Sequence, residues 1–380
     1  MNKKLKSIVL NPVRYYSQLI KNNKKGIDLT LGEGHFVSPF NAKLKAYEAL
    51  LANDTKYSLV EGNESLRKLL IEKYYPKYDY KNEIIITNGS TQGFFSVLLS
   101  IINSKQDEVI IIAPYYPAYE KVVKLLGGKV VVINSSKSGF KISPEVLGNY
   151  VTGKTKAIII NEPCNPTGVI YSIEEKKVLL EYFKDKDFLI IVDEVYSQYT
   201  SESFISFSSL ITYDLKDRFI FINGLSKSHM MTGYRIGFVV CGKSLNNELK
   251  KINYLTVSCI SSVMQKGAIG ALEDDQFCKF VTKYYFTNLQ TLKETLNNLN
   301  IEFVDANSGY YLFINVSKFG LSGEEFCKYF IDNYYTALVP GKLFGKGFDN
   351  YVRVSCCKDI KDISKFVNYI LDFSEICEKM

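Results

Sequence analysis

Seven short apolar runs, each followed by a stretch long enough for a helix, constrain this chain more than any other feature. Between residues 83 and 240 they read IIIT, VIIIA, VVVI, AIIIN, LIIVD, FIFIN and IGFVV. Continuous β-branched runs without in–out alternation are what strands buried on both faces require. The longer segments between them supply the covering layers. The expected fold class is therefore α/β, a mostly parallel seven-stranded sheet sandwiched by helices. Ser172, with Glu175 three residues on, forms a capping box before KKVLLEYF and marks one helix start. After about residue 280 shorter helical and strand-like stretches resume, with a strand pair expected around GYYLFINV and YVRVSC. A chain of 380 residues exceeds what one core usually supports. We expect 1–45 to be an N-terminal arm and part of a smaller α+β domain, 46–280 the large domain, and 281–380 the rest of the smaller one.

Several function classes are disfavoured at this stage. The net charge of +7 comes from lysines spread along the chain, which form no stripe for nucleic acid. Eight scattered cysteines, with only Cys356 and Cys357 adjacent, give neither a disulfide framework nor a zinc spacing, and a reducing cytoplasm is the expected location. The basic N-terminus has an apolar run, Ile8 to Leu10, too short for a signal peptide or a membrane span. His35 and His229 are the only histidines, and no G-x-S-x-G, H-E-x-x-H or P-loop string accompanies them.

In such sheets ligands collect beyond the carboxyl ends of the strands, and the unusual residues fall there. Gly89-Ser90-Thr91 opens a helix after a strand, so its amides and hydroxyls suit a phosphate, although most Ser/Thr helix caps bind nothing. Asp193 ends an apolar run where an unpaired carboxylate is costly, unless it caps a turn. Lys227 lies in GLSKSHMMTGYRIG between two apolar runs, a loop where lysines are ordinarily solvated. Arg235 follows with a rigid fork suited to phosphate or to a plain salt bridge. Asn165, in a turn-like NPTG, and Tyr196 offer donors, and Tyr116 offers a flat ring, though core packing is the commoner fate of a tyrosine. An amine, an anion, donors, an anion cradle and a stacking ring are the parts that pyridoxal-phosphate (PLP) chemistry needs.

Together these strings resemble the PLP enzymes of fold type I, in the class I/II aminotransferases of the aspartate-aminotransferase group. LTLGEG, KYSLVEGNESLRKLL, TNGSTQG, APYYPAY, NEPCNPTG, IVDEVY, the lysine segment and YVRVS occur in the family's order over almost the whole chain. The resemblance implies an amino group moved between an L-amino acid and a 2-oxo acid through a Schiff base on Lys227, which also transfers the proton at the substrate Cα. It implies Asp193 at the ring nitrogen, Asn165 and Tyr196 at the phenolic oxygen, and Ser90, Thr91, Ser226 and Arg235 at the phosphate. Tyr116 takes the stacking place often held by Trp, a residue this chain lacks. Gly32, Asn165 and Arg353 are implied around the substrate. Tyr57 matches a tyrosine that reaches the neighbouring subunit's phosphate, which implies a homodimer with shared sites.

His35 and Cys164 depart from the usual pattern at positions near substrate in relatives. With Arg235 and Arg353 assigned, Arg14 is the arginine left for a second carboxylate, so the expected donor is neutral or aromatic, with glutamate admitted through Arg14. The alternative within the same fold is a PLP lyase, decarboxylase or cyclising enzyme. The M-T-G-Y-R string after Lys227 favours the aminotransferase. A PLP-sensing regulator with a DNA-binding module is disfavoured, because the resemblance begins by about residue 28.

Overall fold

The structure is a computed structural model that describes residues 5, 6, 8, 12–23, 25–200 and 204–379. Of the N-terminal apolar run, Val9 and Leu10 lie outside the described residues. Twelve strands occur among the described residues: β1 (Ile27–Asp28), β2 (Ile84–Asn88), β3 (Glu108–Ala113), β4 (Lys129–Asn134), β5 (Thr155–Asn161), β6 (Leu189–Asp193), β7 (Phe219–Gly224), β8 (Ile236–Val240), β9 (Tyr311–Asn315), β10 (Thr336–Ala337), β11 (Val339–Pro340) and β12 (Tyr351–Ser355). The seven apolar runs of the sequence become β2 to β8. These form one sheet in the order β2-β8-β7-β6-β5-β3-β4.

Every neighbouring pair from β7 to β4 is parallel, whereas β8 runs antiparallel to both β7 and β2. Because strand side chains alternate between faces, each buried run feeds two separate cores. Ile84, Ile110, Ile158, Ile190 and Phe221 pack on one face with Leu66, Leu70 and Phe183 from helices. Ile85, Ile111, Ile159, Ile191 and Ile222 pack on the other with Phe94, Val97 and Val123. β4 differs from the reading of a doubly buried strand. It is one of the two edge strands, and of its residues only Ile133 is buried.

The capping box at Ser172 starts the helix Ile173–Lys184 as read from the sequence. β9 and β12 form the expected pair, antiparallel and joined by β11 in a three-stranded sheet over a third apolar cluster that includes Leu292, Phe330, Val352 and Phe366. Residues 45 and 280 both fall inside helices, Phe40–Leu51 and Asp275–Asn298.

Phe40–Leu51 is reversed in its amphipathy. Its buried residues are Ala42, Ala46 and Ala49. They pack on the helix Ser262–Leu272, where a Cβ on Gly267 would crowd Ala46 and the carbonyl of Ala42. The large apolar residues Phe40, Leu44, Tyr47, Leu50 and Leu51 are exposed instead.

Candidate active site

The direction of β8 gathers the chemistry. Since β8 is antiparallel, its first residue pairs with Asn88 at the carboxyl end of β2, and Gly237 pairs with Gly224 at the end of β7. Arg235, one residue before β8, thus joins the residues that end β2, β5 and β6. They surround a cleft of about 590 Å³. Ser90, Thr91, Tyr116, Asn165, Asp193 and Tyr196 line it, and so do Ser226, Lys227, Arg235, Gly32 and Arg353. Arg14 lines it too. Tyr57 does not, being 89% exposed elsewhere on the surface. A wider groove of about 870 Å³ runs along Asp275–Asn298. It holds none of the predicted site residues, and the smaller cleft is the better candidate because the buried Asp193 carboxylate and the Lys227 amine face it at the carboxyl ends of the strands.

Asp193 is buried at the end of β6. Its Oδ2 accepts from the Tyr119 hydroxyl at 2.5 Å and its Oδ1 from the Val195 amide at 3.2 Å. A turn bond is therefore present but engages only one oxygen. Burial pushes the carboxyl pKa up to about 6, against these two bonds and the Lys227 charge, which favour the anion. Lys227 sits in the short helix Leu225–Ser228 directly after β7. Its Nζ donates to the Gly32 carbonyl at 2.6 Å, and its own carbonyl accepts from Tyr199 at 2.8 Å. Burial lowers the pKa of Lys227; Arg353 and Arg235 act in the same direction, while Cys357 and Glu33 oppose it.

At the other end of the cleft begins the helix Ser90–Ile101. The helix cap is Gly89 at φ 77°, with no capping bond from a side chain, so Ser90 and Thr91 are inside the first turn rather than serving as the cap. A Cβ on Gly89 would run into the Arg235 guanidinium, and one on Gly237 would strike the Gly89–Ser90 backbone. These two glycines allow the arginine to reach the helix N-terminus. Arg235 itself adopts the left-handed region at φ 58°, unfavourable for a side chain of its size, and donates to Thr232 O at 2.8 Å.

Arg353 extends from β12 and is buried. It donates to Asn165 Oδ1 at 2.8 Å and to the Thr30 carbonyl, while its Nε is buried without a hydrogen-bond partner. The bond to Oδ1 fixes the Asn165 amide so that its NH₂ is directed elsewhere. The other residues flagged by the sequence stand apart from these contacts. His35 packs among Phe36, Tyr284 and Tyr285. Cys164 lies 3.8 Å from the Pro114 carbonyl. His229 is buried against Ser228 and Cys278, with its pKa pushed down to about 3 by burial.

A sequence profile of the family described as Aminotransferase class I and II matches residues 25–370. The chain belongs to this family. Among its relatives, a probable N-acetyl-LL-diaminopimelate aminotransferase of Bacillus subtilis (strain 168) is 34% identical, covering 93% of this chain and 91% of the relative. The solved aspartate aminotransferase of Thermotoga maritima superposes with a TM-score of 0.90 at 30% identity, covering 98% of this chain and 99% of that one. An aromatic aminotransferase structure from Pyrococcus horikoshii OT3 gives 0.87 at 28% identity, covering 96% and 99%. The architecture is accordingly that of the fold-type I aminotransferases.

Three residues of this aminotransferase's cleft were not singled out from the sequence. Tyr119 holds Asp193. Asn161, at the end of β5, donates to the Asp193 carbonyl at 3.0 Å and accepts from the Asn165 amide at 2.7 Å. Tyr311 lies 3.2 Å from the Tyr196 hydroxyl. For Asn161 a signal exists, a polar side chain closing the apolar run AIII. The two tyrosines carry none, in a chain with 28 of them.

Proposed function

We propose that this aminotransferase holds pyridoxal phosphate as a Schiff base on Lys227 and exchanges an amino group between an L-amino acid and a 2-oxo acid. The observation that carries this reading is the convergence of one amine, one buried carboxylate and three guanidinium groups, those of Arg14, Arg235 and Arg353, on a single cleft. The donor set suits the cofactor at both ends. Ser90, Thr91, Ser226 and Arg235 would hold the phosphate at a helix N-terminus that Gly89 and Gly237 keep open. Asp193 would face the ring nitrogen, Asn165 and Tyr196 the phenolic oxygen, and Tyr116 the ring face.

When bound, the cofactor supplies an electron sink for the pair released at the substrate Cα. Asp193, anchored by Tyr119 and Val195, keeps a proton on the ring nitrogen. Lys227 Nζ, its pKa already lowered by burial, takes and returns the proton at the substrate Cα. Arg353 receives the α-carboxylate, and its unpartnered Nε leaves a donor available.

The reading includes a homodimer, a cytoplasmic location and two domains, 46–280 against 1–45 with 281–380. The exposed apolar face of Phe40–Leu51 supports a second copy as partner, since a face of this kind marks an interaction surface. Tyr57, exposed in one subunit, would then reach the partner's phosphate.

Purified protein should be yellow, and borohydride reduction should fix the cofactor on Lys227, as read by peptide mapping. A label on another lysine, or none in PLP-saturated protein, removes the proposal. A panel of L-amino acids against 2-oxoglutarate and pyruvate then identifies the donor.

A further inference from the structure

Tyr311 opens β9 and pairs across the strands with Ser355, while Arg353 pairs with Phe313. Tyr311 and Arg353 are therefore diagonal neighbours on one face of that sheet, within reach of a ring and a long side chain. The Arg353 guanidinium lies 4.1 Å from the centre of the Tyr311 ring and 4.9 Å from that of Phe344. Next to two rings, it still directs N–H groups to Asn165 and Thr30, and the ring quadrupoles attract its charge. The Tyr311 hydroxyl is in turn fixed. It lies 3.2 Å from the Tyr196 hydroxyl, and a Cβ on Gly32 would overlap it.

We propose that Tyr311 is a positioning residue that serves both halves of the site: its ring sets the Arg353 fork for the substrate carboxylate, and its hydroxyl donates to Tyr196. The inference rests on the cofactor reading above. A Tyr196 hydroxyl that accepts from Tyr311 is a stronger donor to the phenolic oxygen of the cofactor. Stronger donation there draws electron density from the Schiff base and lowers the pH at which it loses its proton. Tyr310, the preceding residue, has a separate task, donating at 3.1 Å to the Gly32 carbonyl that also accepts from Lys227.

The test uses the PLP-loaded protein and two variants, with the visible absorption of the cofactor followed against pH and against added L-amino acid. Tyr311→Phe removes one hydroxyl and keeps the ring. Its spectral midpoint should rise by about half a pH unit, the size expected for the loss of one modest hydrogen bond. The amino-acid concentration that half-converts its spectrum should stay within about twofold of the parent, because the ring contact to Arg353 survives. Tyr311→Leu should show the same midpoint shift and need roughly tenfold more amino acid, because the ring is gone. An unshifted midpoint in Tyr311→Phe, or unchanged amino-acid demand in Tyr311→Leu, overturns the assignment while leaving the cofactor reading standing. A parent protein that gains no visible band with PLP overturns both. Near-ultraviolet circular dichroism, unchanged in Tyr311→Phe, ties the shift to the hydroxyl rather than to misfolding.

Discussion

At the scale of single residues, the cleft is built from side chains whose surroundings work against their charge. Asp193 is the clearest case, an acid whose pKa burial lifts to about 6 and whose anion depends on Tyr119 and Val195. A neutral ring nitrogen is a poor electron sink, so the loss in Asp193→Ala should fall on the transition state. Turnover should drop by at least about a hundredfold while PLP is still taken up, and Asp193→Glu should be milder. Steady-state rates with cofactor uptake measured in parallel decide it; near-normal turnover in the alanine variant would show the role to be misassigned. Lys227, Asp193, Asn165 and Arg235 were legible because each breaks an apolar run or sits in a string with fixed order. Tyr119 and Tyr311 were not. Their hydroxyls meet residues 74 and 115 positions away, and the Tyr311 ring meets Arg353 across the sheet; local pattern carries no record of such pairings.

Elements explain which charges face the cleft and which do not. Glu162 follows Asn161 directly, and strand alternation sends the two side chains to opposite faces of the sheet. Glu162 is buried against Lys176 of the helix Ile173–Lys184, with Nζ 2.9 Å from Oε1 and with Oε2 lacking any partner. Burial outweighs the lysine and lifts the Glu162 pKa to about 7. Lys176→Met would remove the nearest counter-charge of this acid and keep it protonated, an added cost of about 1.4 kcal/mol for each pH unit above about 7. A carboxyl whose folded pKa is raised contributes its full stability below the unfolded value near 4.5 and loses it as pH rises through the folded value. The defect should therefore be small near about pH 5.5 and large near about pH 8, as read from urea unfolding at both. Equal defects would refute the buried-acid account. The strands themselves were legible, since all seven runs became β2 to β8. Their order, and the reversal of β8 that brings Arg235 to the cleft, arise from pairing between distant segments. The two-residue strands β1, β10 and β11 are too short to leave any periodicity.

For the whole molecule, the proposed dimer makes a prediction about the division of labour between chains. A Tyr57→Ala chain keeps Lys227, and a Lys227→Ala chain keeps Tyr57. If Tyr57→Ala alone weakens PLP retention, mixing the two chains should restore tight retention in the sites that carry Lys227. Retention is measured by dialysis after subunit exchange, and a monomer by light scattering, or no recovery on mixing, sinks the shared site. The sequence pointed to Tyr57 only through the family's order of strings. The helix that exposes Phe40, Tyr47 and Leu51 while burying alanines would have read as an ordinary surface helix, because amphipathy alone does not say which side is outermost. That reversal has a cost during synthesis and refolding. A freshly collapsed single chain would show this apolar face to the solution, and if the proposed dimer forms, every encounter is a contest between correct pairing and indiscriminate clumping. In the proposed dimer, pairing is second order in chain concentration and clumping of higher order, so recovery from denaturant should be slow when dilute and poor when concentrated, with a best yield in between.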